Sequence, residues 1–455
     1  MNDVLFSLIV LQFHQSSGVF FISTSFDHNR DELSVSLEKA ILVSVALPER
    51  PWLGDDPCDE IRGLATTAGA TVVGELTQRR QDIQTRTYIG KGKLDQLKEM
   101  ILSAAADVVI FDNDLSPGQA RNLEKSLELK VLDRSELILD IFATRARSPE
   151  AKLQVELAQL EYSLPRLKQM WSHLSRQKGG GIGARGPGET QLETDRRIVG
   201  GRIRDLKEKL VIVQARKERE VRGRVDEHTV SLVGYTNAGK SRLMNRLTHA
   251  DVYVENKLFS TLDTRTRQWH LKDWGKVLLS DTVGFIRELP HHLVASFKAT
   301  LEEARQARLL LHVVDASNPA AEDHIKSVNQ VLSEIGCENK RSLLVLNKID
   351  RIDDRSRVHL MTALHPKAVA ISGATGEGLD ELRDAVIESL TADYIDAEIH
   401  TNLANGKVLA YLNAHAEIYH QEFKENEITV RCRLPRHLMH HIEGDGVVVK
   451  PLGLN

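Results

Sequence analysis

The sequence predicts an α/β chain of several units, and three observations carry that prediction. Short apolar runs at residues 41–47, 71–73, 108–111, 230–233, 277–279, 343–346 and 369–371 alternate with stretches of helical period. Two leucine-rich stretches with spacings of four and three separate the early runs from the late ones. At 455 residues the chain is too long for one core, so roughly two to four domains are expected.

Residues 1–38 show no clear period and are expected to form an N-terminal extension, a strand or disordered. Its apolar start, Val4 to Phe13, contains Gln12 and follows Asp3 rather than a basic segment, so it does not read as a signal peptide. Residues 39–148 are expected to form a small α/β domain. Its strands fall at 41–47, 71–73 and 108–111 and its helices at 59–68, 93–104 and 117–127, the last capped by Ser116.

In residues 149–225, Leu153, Leu157, Leu160, Leu164, Leu167, Trp171 and Leu174 keep heptad spacing, and so do Val199, Ile203, Leu206, Leu210 and Val213. Two such helices make a long antiparallel hairpin whose leucines are core, with Pro165 expected to kink the first helix. The joining segment 178–191 carries six glycines and a proline, so a non-helical tip is expected. Residues 226–391 then run as an uninterrupted α/β pattern. Residues 392–455 are expected to be a small α+β domain with a helix at 403–414 and a strand at 427–434.

The chemistry lies in 226–391. Gly234-Tyr235-Thr236-Asn237-Ala238-Gly239-Lys240-Ser241 has the spacing of a phosphate-binding loop between a strand and a helix. Glycines let the chain curl so that backbone N–H groups face a polyphosphate, and the helix dipole behind them favours the anion. Lys240 can reach β- and γ-phosphates, and Ser241 can ligate Mg²⁺. Asp281-Thr282-Val283-Gly284 follows a second apolar run; Asp281 can hold the Mg²⁺ shell through water and the Gly284 N–H can sense the γ-phosphate. Asn347-Lys348-Ile349-Asp350 follows a third run, and a carboxylate there can accept both N1–H and N2–H₂ of guanine, a donor pair adenine lacks. Ser372, with Gly373, fits a loop backing the base.

These motifs, in this order, predict a P-loop GTPase domain with a mostly parallel sheet and helices on both faces. Switch I is expected at 259–264, with Thr261 as the Mg²⁺- and γ-phosphate-sensing residue and Thr264 as runner-up. The expected nucleotide contacts are the eight residues of the phosphate loop with Arg242, Phe259, Thr261, Asp281, Gly284, Asn347, Lys348, Asp350, Ser372 and Gly373. The expected metal ligands are Ser241, Thr261 and Asp281, and the catalytic groups Lys240, Thr261 and Gly284. Phe285 stands where related switches carry a water-orienting glutamine, so slow intrinsic hydrolysis is expected, with another group or a partner completing the site. Arg265 and Arg267 near the switch could stabilise transition-state charge but read as solvated, and His291, His292 and His312 show no metal spacing.

Charge and cysteines narrow the partner. Residues 149–224 hold seventeen Lys/Arg against ten Asp/Glu, a net +7, which leaves −11 for the rest of a chain whose total is −4. A basic segment in an acidic protein suggests a polyanion, with a solvated helical face as the plain alternative. Cys58, Cys337 and Cys432 are far apart and have neither disulfide nor metal spacing, as suits a reducing cytosol. No stretch reaches transmembrane length, so no stable membrane insertion is expected.

From about residue 40 to the end the sequence resembles the HflX-type translational GTPases. The most specific part is 179–197, where Arg185-Gly186-Pro187-Gly188-Glu189-Thr190-Gln191-Leu192-Glu193-Thr194-Asp195-Arg196-Arg197 matches that family's signature. Residues 234–241, Asp281-Thr282-Val283-Gly284-Phe285-Ile286 and Tyr88-Ile89-Gly90-Lys91-Gly92-Lys93 match further elements; residues 1–38 do not match. The resemblance implies a cytoplasmic protein that binds the 50S subunit, hydrolyses GTP and helps split stalled or idle 70S ribosomes; nothing in the sequence demands more than a monomer. The hairpin tip would reach rRNA near the peptidyl-transferase centre through Lys178, Arg185, Gly186, Gly188, Arg196 and Arg197. A basic hairpin suits rRNA, recognised by phosphates and shape, and DNA is not expected as a partner.

Two other readings compete. One is a GTP-controlled regulator of a protein partner such as a membrane protease. The other adds an ATP-dependent RNA-remodelling activity in residues 40–147, hinted at by Gly90-Lys91-Gly92-Lys93, for which a turn is the competing explanation.

Overall fold

The computed structural model describes residues 38–52, 56–170, 187–222, 228–249, 258–259, 261–262, 264–272, 274–287, 298–392, 394–424, 426–435, 439, 442 and 447–452. The expected extension, apart from Glu38, lies outside them. Among the described residues no helix is long and apolar enough to cross a membrane.

The first sheet is wholly parallel, in the order β2-β1-β3-β4, from β1 (Lys39–Ala46), β2 (Thr71–Arg79), β3 (Val108–Phe111) and β4 (Lys130–Leu132). Strand β1 is buried along nearly its whole length, as a central parallel strand covered on both faces must be. It starts and stops before the expected 41–47, because Leu47 turns back to pair with Arg50. Helices α1 (Asp59–Ala68), α2 (Lys91–Ala104), α3 (Pro117–Leu127) and α4 (Arg134–Arg145) connect and flank the strands. Ser116 does cap α3: its hydroxyl accepts from Gln119 N while the Gln119 side chain accepts from Ser116 N. Helix α2 begins two residues before the expected Lys93, with Gly90 as its N-cap.

Helices α5 (Pro149–Met170) and α6 (Pro187–Arg222) form the antiparallel pair. Leu157, Ile203 and Leu206 are its buried core, with Leu153, Leu160, Leu164, Val199 and Leu210 around them. Glu150 pairs with Lys217, Glu156 with Nε and Nη2 of Arg202, and Glu161 with Lys207. Helix α5 continues through Pro165.

The expected non-helical tip needs correction. Residues 187–191 already belong to α6, because proline at a first helical position loses no intrahelical bond and its fixed φ suits the helix. Residues 178–186, with Lys178, Arg185 and Gly186, lie outside the described residues, whereas Gly188 sits in the first turn of α6. Arg196 and Arg197 are exposed further along it.

The second sheet has order β10-β9-β8-β5-β7-β6. Strands β5 (Thr229–Val233), β7 (Gly275–Asp281), β8 (Leu309–Asp315), β9 (Ser342–Asn347) and β10 (Val369–Ala370) are parallel, and β6 (Arg265–Leu271) closes one edge antiparallel to β7. Around it lie α7 (Lys240–Thr248), α8 (Lys298–Gln306), α9 (Ala321–Glu334), α10 (Arg355–Leu364) and α11 (Leu379–Thr391). Arg265 and Arg267 are on edge strand β6, Arg267 exposed; His312 is buried within β8, and His291 and His292 fall outside the described residues.

Last comes an antiparallel sheet, β12-β13-β11-β14, from β11 (Tyr394–Asn402), β12 (Glu417–Lys424), β13 (Glu427–Pro435) and β14 (Val447–Leu452), with α12 (Gly406–His415). The helix starts later than the expected 403. The Asn402 side chain accepts from Ala404 N and turns the chain there.

One apolar core joins the first two sheets. Leu137, Phe142 and Ala151 share it with Phe259, Leu262, Phe285 and Leu301. The first α/β unit is therefore packed directly on the switch segments of the second.

Candidate functional site

The phosphate loop leaves the buried end of β5 and turns into α7. Gly239 takes φ 96, and a side chain there would collide with the Asn347 amide. Lys240 is buried and donates to the Gly234 and Tyr235 carbonyls, each at 3.0 Å. Burial pulls its ammonium down to about 8, with Asp281 opposing that shift. A polyphosphate beside it would supply a countercharge in place of the hydration that burial removes.

Three oxygen side chains that are far apart in sequence meet behind the lysine. Ser241 Oγ lies 2.7 Å from Thr261 Oγ1 and donates to Asp281 Oδ2 at 2.6 Å; Thr261 Oγ1 donates to the same oxygen at 3.2 Å. Burial pushes the Asp281 carboxyl up, while Lys240 and the two hydroxyls hold it down. Asp281 Oδ1 is buried without a hydrogen-bond partner. An all-oxygen set with an orphaned carboxylate oxygen fits Mg²⁺, which keeps its waters and takes few protein ligands. Among the described residues no group of three His, Cys, Asp or Glu could hold a metal, so an ion here would depend on the hydroxyls and on phosphate oxygens.

Gly284 packs against the phosphate loop. A side chain on it would strike the Thr236 backbone and crowd Lys240 Nζ, so glycine lets the two segments touch. Thr236 N donates to Phe285 O at 2.6 Å and Phe285 N to Gly234 O at 3.1 Å, a one-residue bridge between phosphate loop and switch.

The remaining motifs assemble on the other side. Asn347 Nδ2 donates to Ala238 O at 2.8 Å, and its Oδ1 accepts from Gly373 N at 2.9 Å. Lys348 takes φ 66, donates to Asn237 O and pairs with Asp315, both at 2.7 Å. Left-handed backbone at a non-glycine residue persists where surrounding bonds over-determine it, and those two bonds do so here. Ser372 Oγ donates to Asp350 Oδ1 at 2.5 Å and accepts from Ala374 N and Thr375 N. That leaves the exposed Asp350 carboxylate oriented for two donors on a base.

Two expected contacts do not fit. The Phe259 ring is buried edge-on against Phe142 of α4, centroids 4.7 Å apart, and its N–H is bonded to Thr236 Oγ1. It is core between the units rather than a nucleotide contact, because burying that ring is worth more than exposing it at a polar cleft. The Tyr235 side chain also leaves the loop: it stacks on His324 and donates to Glu60 Oε1 at 2.6 Å, so only its backbone faces the site. Arg242 is exposed on α7.

Sequence reasoning missed Asp315, and also Glu60, Asp112, Arg134 and Arg287. Arg134 is buried and bonds Asp112 at 2.6 Å, Glu60 at 2.8 Å and the Arg287 carbonyl at 3.0 Å. No sequence spacing signals charged partners separated by 22 and 74 residues.

Comparisons agree with this geometry. Residues 55–143 match the family described as GTP-binding GTPase N-terminal, 145–224 its middle region, and 229–348 the 50S ribosome-binding GTPase family. The chain is 43% identical over 402 residues to GTPase HflX of Escherichia coli, covering 88% of this chain and 94% of that protein. It is also 43% identical over 407 residues to GTPase HflX of Caldanaerobacter subterraneus, covering 89% and 92%. With the phosphate loop, switch segments and base-recognition motifs assembled in one site, these relatives show that the chain belongs to the HflX family of GTPases and hydrolyses GTP.

Proposed function

We propose that this GTPase binds the large (50S) ribosomal subunit and uses GTP binding and hydrolysis to dissociate or rescue stalled or idle 70S ribosomes in the cytoplasm. The observation that carries the reading is the match of residues 229–348 to the 50S ribosome-binding GTPase family. The exposed Arg196, Arg197, Arg204, Lys207, Lys209 and Arg216 of α6 support it, since a basic helix face suits an rRNA backbone. The hairpin, through Lys178, Arg185 and Gly186 of the joining segment and Gly188, Arg196 and Arg197 of α6, reaches toward the peptidyl-transferase centre in this reading.

In the site, Lys240 and the loop N–H groups hold the phosphates, the Gly284 N–H meets the γ-phosphate, and Asp350 accepts the guanine N–H groups. Ser241, Thr261 and Asp281 are the residues that would hold Mg²⁺, and the ion would supply charge neutralisation for transfer of the phosphoryl group.

The test is GTP turnover of the full chain alone, with purified 50S subunits and with 70S ribosomes. Strong stimulation with subunit dissociation is expected. Brisk turnover without stimulation would instead favour a switch acting on a protein partner.

A further inference from the structure

Arg287, three residues beyond Gly284, is held at three points. Its N–H donates to the Tyr235 hydroxyl at 2.8 Å. Its carbonyl accepts from Arg134, and its guanidinium pairs with Asp112 at 3.2 Å. Tyr235 belongs to the phosphate loop, whereas Arg134, Asp112 and Glu60 belong to the first α/β unit. The Tyr235 hydroxyl is the joint: it donates to Glu60 and accepts from Arg287, with its ring stacked on His324 at 3.8 Å. A charge-assisted bond of 2.6 Å in a partly buried setting is among the stronger hydrogen bonds a protein makes.

Held this way, the switch lies flat on the phosphate loop. Phe285 is bridged to Gly234 and Thr236, and Gly284 lies so close to the loop that a Cβ on it would come within 3.2 Å of Lys240 Nζ. On the reading in which the Gly284 N–H meets the γ-phosphate, the third phosphate is the one that bears on this segment, and Arg287 is the segment's anchored end.

We propose that Tyr235 is a positioning residue that sets the discrimination between GDP and GTP, by fastening the switch at Arg287 to Glu60 of the first α/β unit. This deepens the reading of Gly284 as the γ-phosphate contact and rests on it. That unit thereby acts on the nucleotide site without touching the nucleotide.

The experiment measures, on the full chain, the affinities of fluorescent GDP and of a non-hydrolysable GTP analogue, together with kcat and KM for GTP. Tyr235→Phe keeps the ring and its stacking and removes only the hydroxyl. It is expected to raise the ratio of GTP-analogue to GDP affinity about tenfold, with GDP affinity held within about twofold, the size expected for losing one charge-assisted bond. Glu60→Gln should move the ratio the same way, and the double variant should add little to either single change. An unchanged ratio in Tyr235→Phe, an equal loss for both nucleotides, or additive effects of the two substitutions would overturn the proposal. Gly284→Ala separates the underlying reading: unchanged GTP-analogue affinity there would refute Gly284 as the γ-phosphate contact, whatever Tyr235→Phe does.

Discussion

Asn347, at the end of β9, hangs on the carbonyl of Ala238 in the phosphate loop through a 2.8 Å hydrogen bond. Its other amide atom accepts from Gly373 at 2.9 Å. One buried side chain thus joins the loop suited to phosphates to the loop suited to backing the base, across separations of 109 and 26 residues.

Asn347→Ala leaves the Ala238 carbonyl and the Gly373 N–H without these partners, at about 1–3 kcal/mol for each buried group. Affinity for GDP and for GTP should fall together by at least about tenfold, since both loops loosen. Titration with fluorescent GDP measures this. Wild-type affinity would mean that the loops hold their positions independently.

Asp350→Asn exchanges an acceptor pair for one donor and one acceptor. Guanine then meets an N–H where it offers one, while xanthine offers a carbonyl there. GTP affinity should drop by at least about 100-fold and xanthosine triphosphate should gain, the asymmetry expected of a site built for specific hydrogen bonds. Competition binding with the two triphosphates decides it; retained guanine preference would refute the carboxylate's role.

Phe285 is buried, 3% exposed, in the core shared by the two units. Phe285→Gln would bury an amide there and remove ring packing, costing on the order of 3 kcal/mol. Urea denaturation should show that loss. Single-turnover GTPase assays should show no acceleration, because the side chain at this position is packed in the shared core. A faster variant would show that the residue faces the attacking water.

Burial holds His312 neutral, with its pKa pulled down to about 4 and Lys240 acting in the same direction. In the unfolded chain a histidine takes up its proton near pH 6.5, so between pH 6.5 and 4 the unfolded state binds more protons. The stability present above pH 6.5 is therefore lost as pH falls through this window, at up to about 1.4 kcal/mol per pH unit from this group. Urea midpoints at pH 7 and pH 5 should differ less in His312→Asn than in the parent chain. An equal difference in the two would assign the acid sensitivity to other groups.

Much of the site was legible because its chemistry depends on local spacing. A phosphate loop must place glycines, lysine and serine within eight consecutive residues, and Asp281, Asn347, Asp350 and Ser372 follow apolar runs that could only be buried strands. Ser241, Thr261 and Asp281, each singled out for one metal, do converge. Helix α4 was illegible: Leu137, Ile138, Leu139, Ile141 and Phe142 are all buried, so it shows no amphipathic period. The short β4 and edge strand β6 lack apolar runs long enough to stand out.

The sequence by itself determined that this chain is a GTPase with a phosphate loop between a strand and a helix, and that two long helices pair beside the nucleotide unit. Only the tertiary structure decided where Phe259 and Tyr235 point, and that Arg134, Glu60 and Asp112 reach across to Arg287. The physical reason is range. Turn, cap and strand signals act over a few residues, where backbone sterics leave one answer. A buried charge is tolerated only when the fold brings partners to it from far along the chain, and no local pattern records which partners those are.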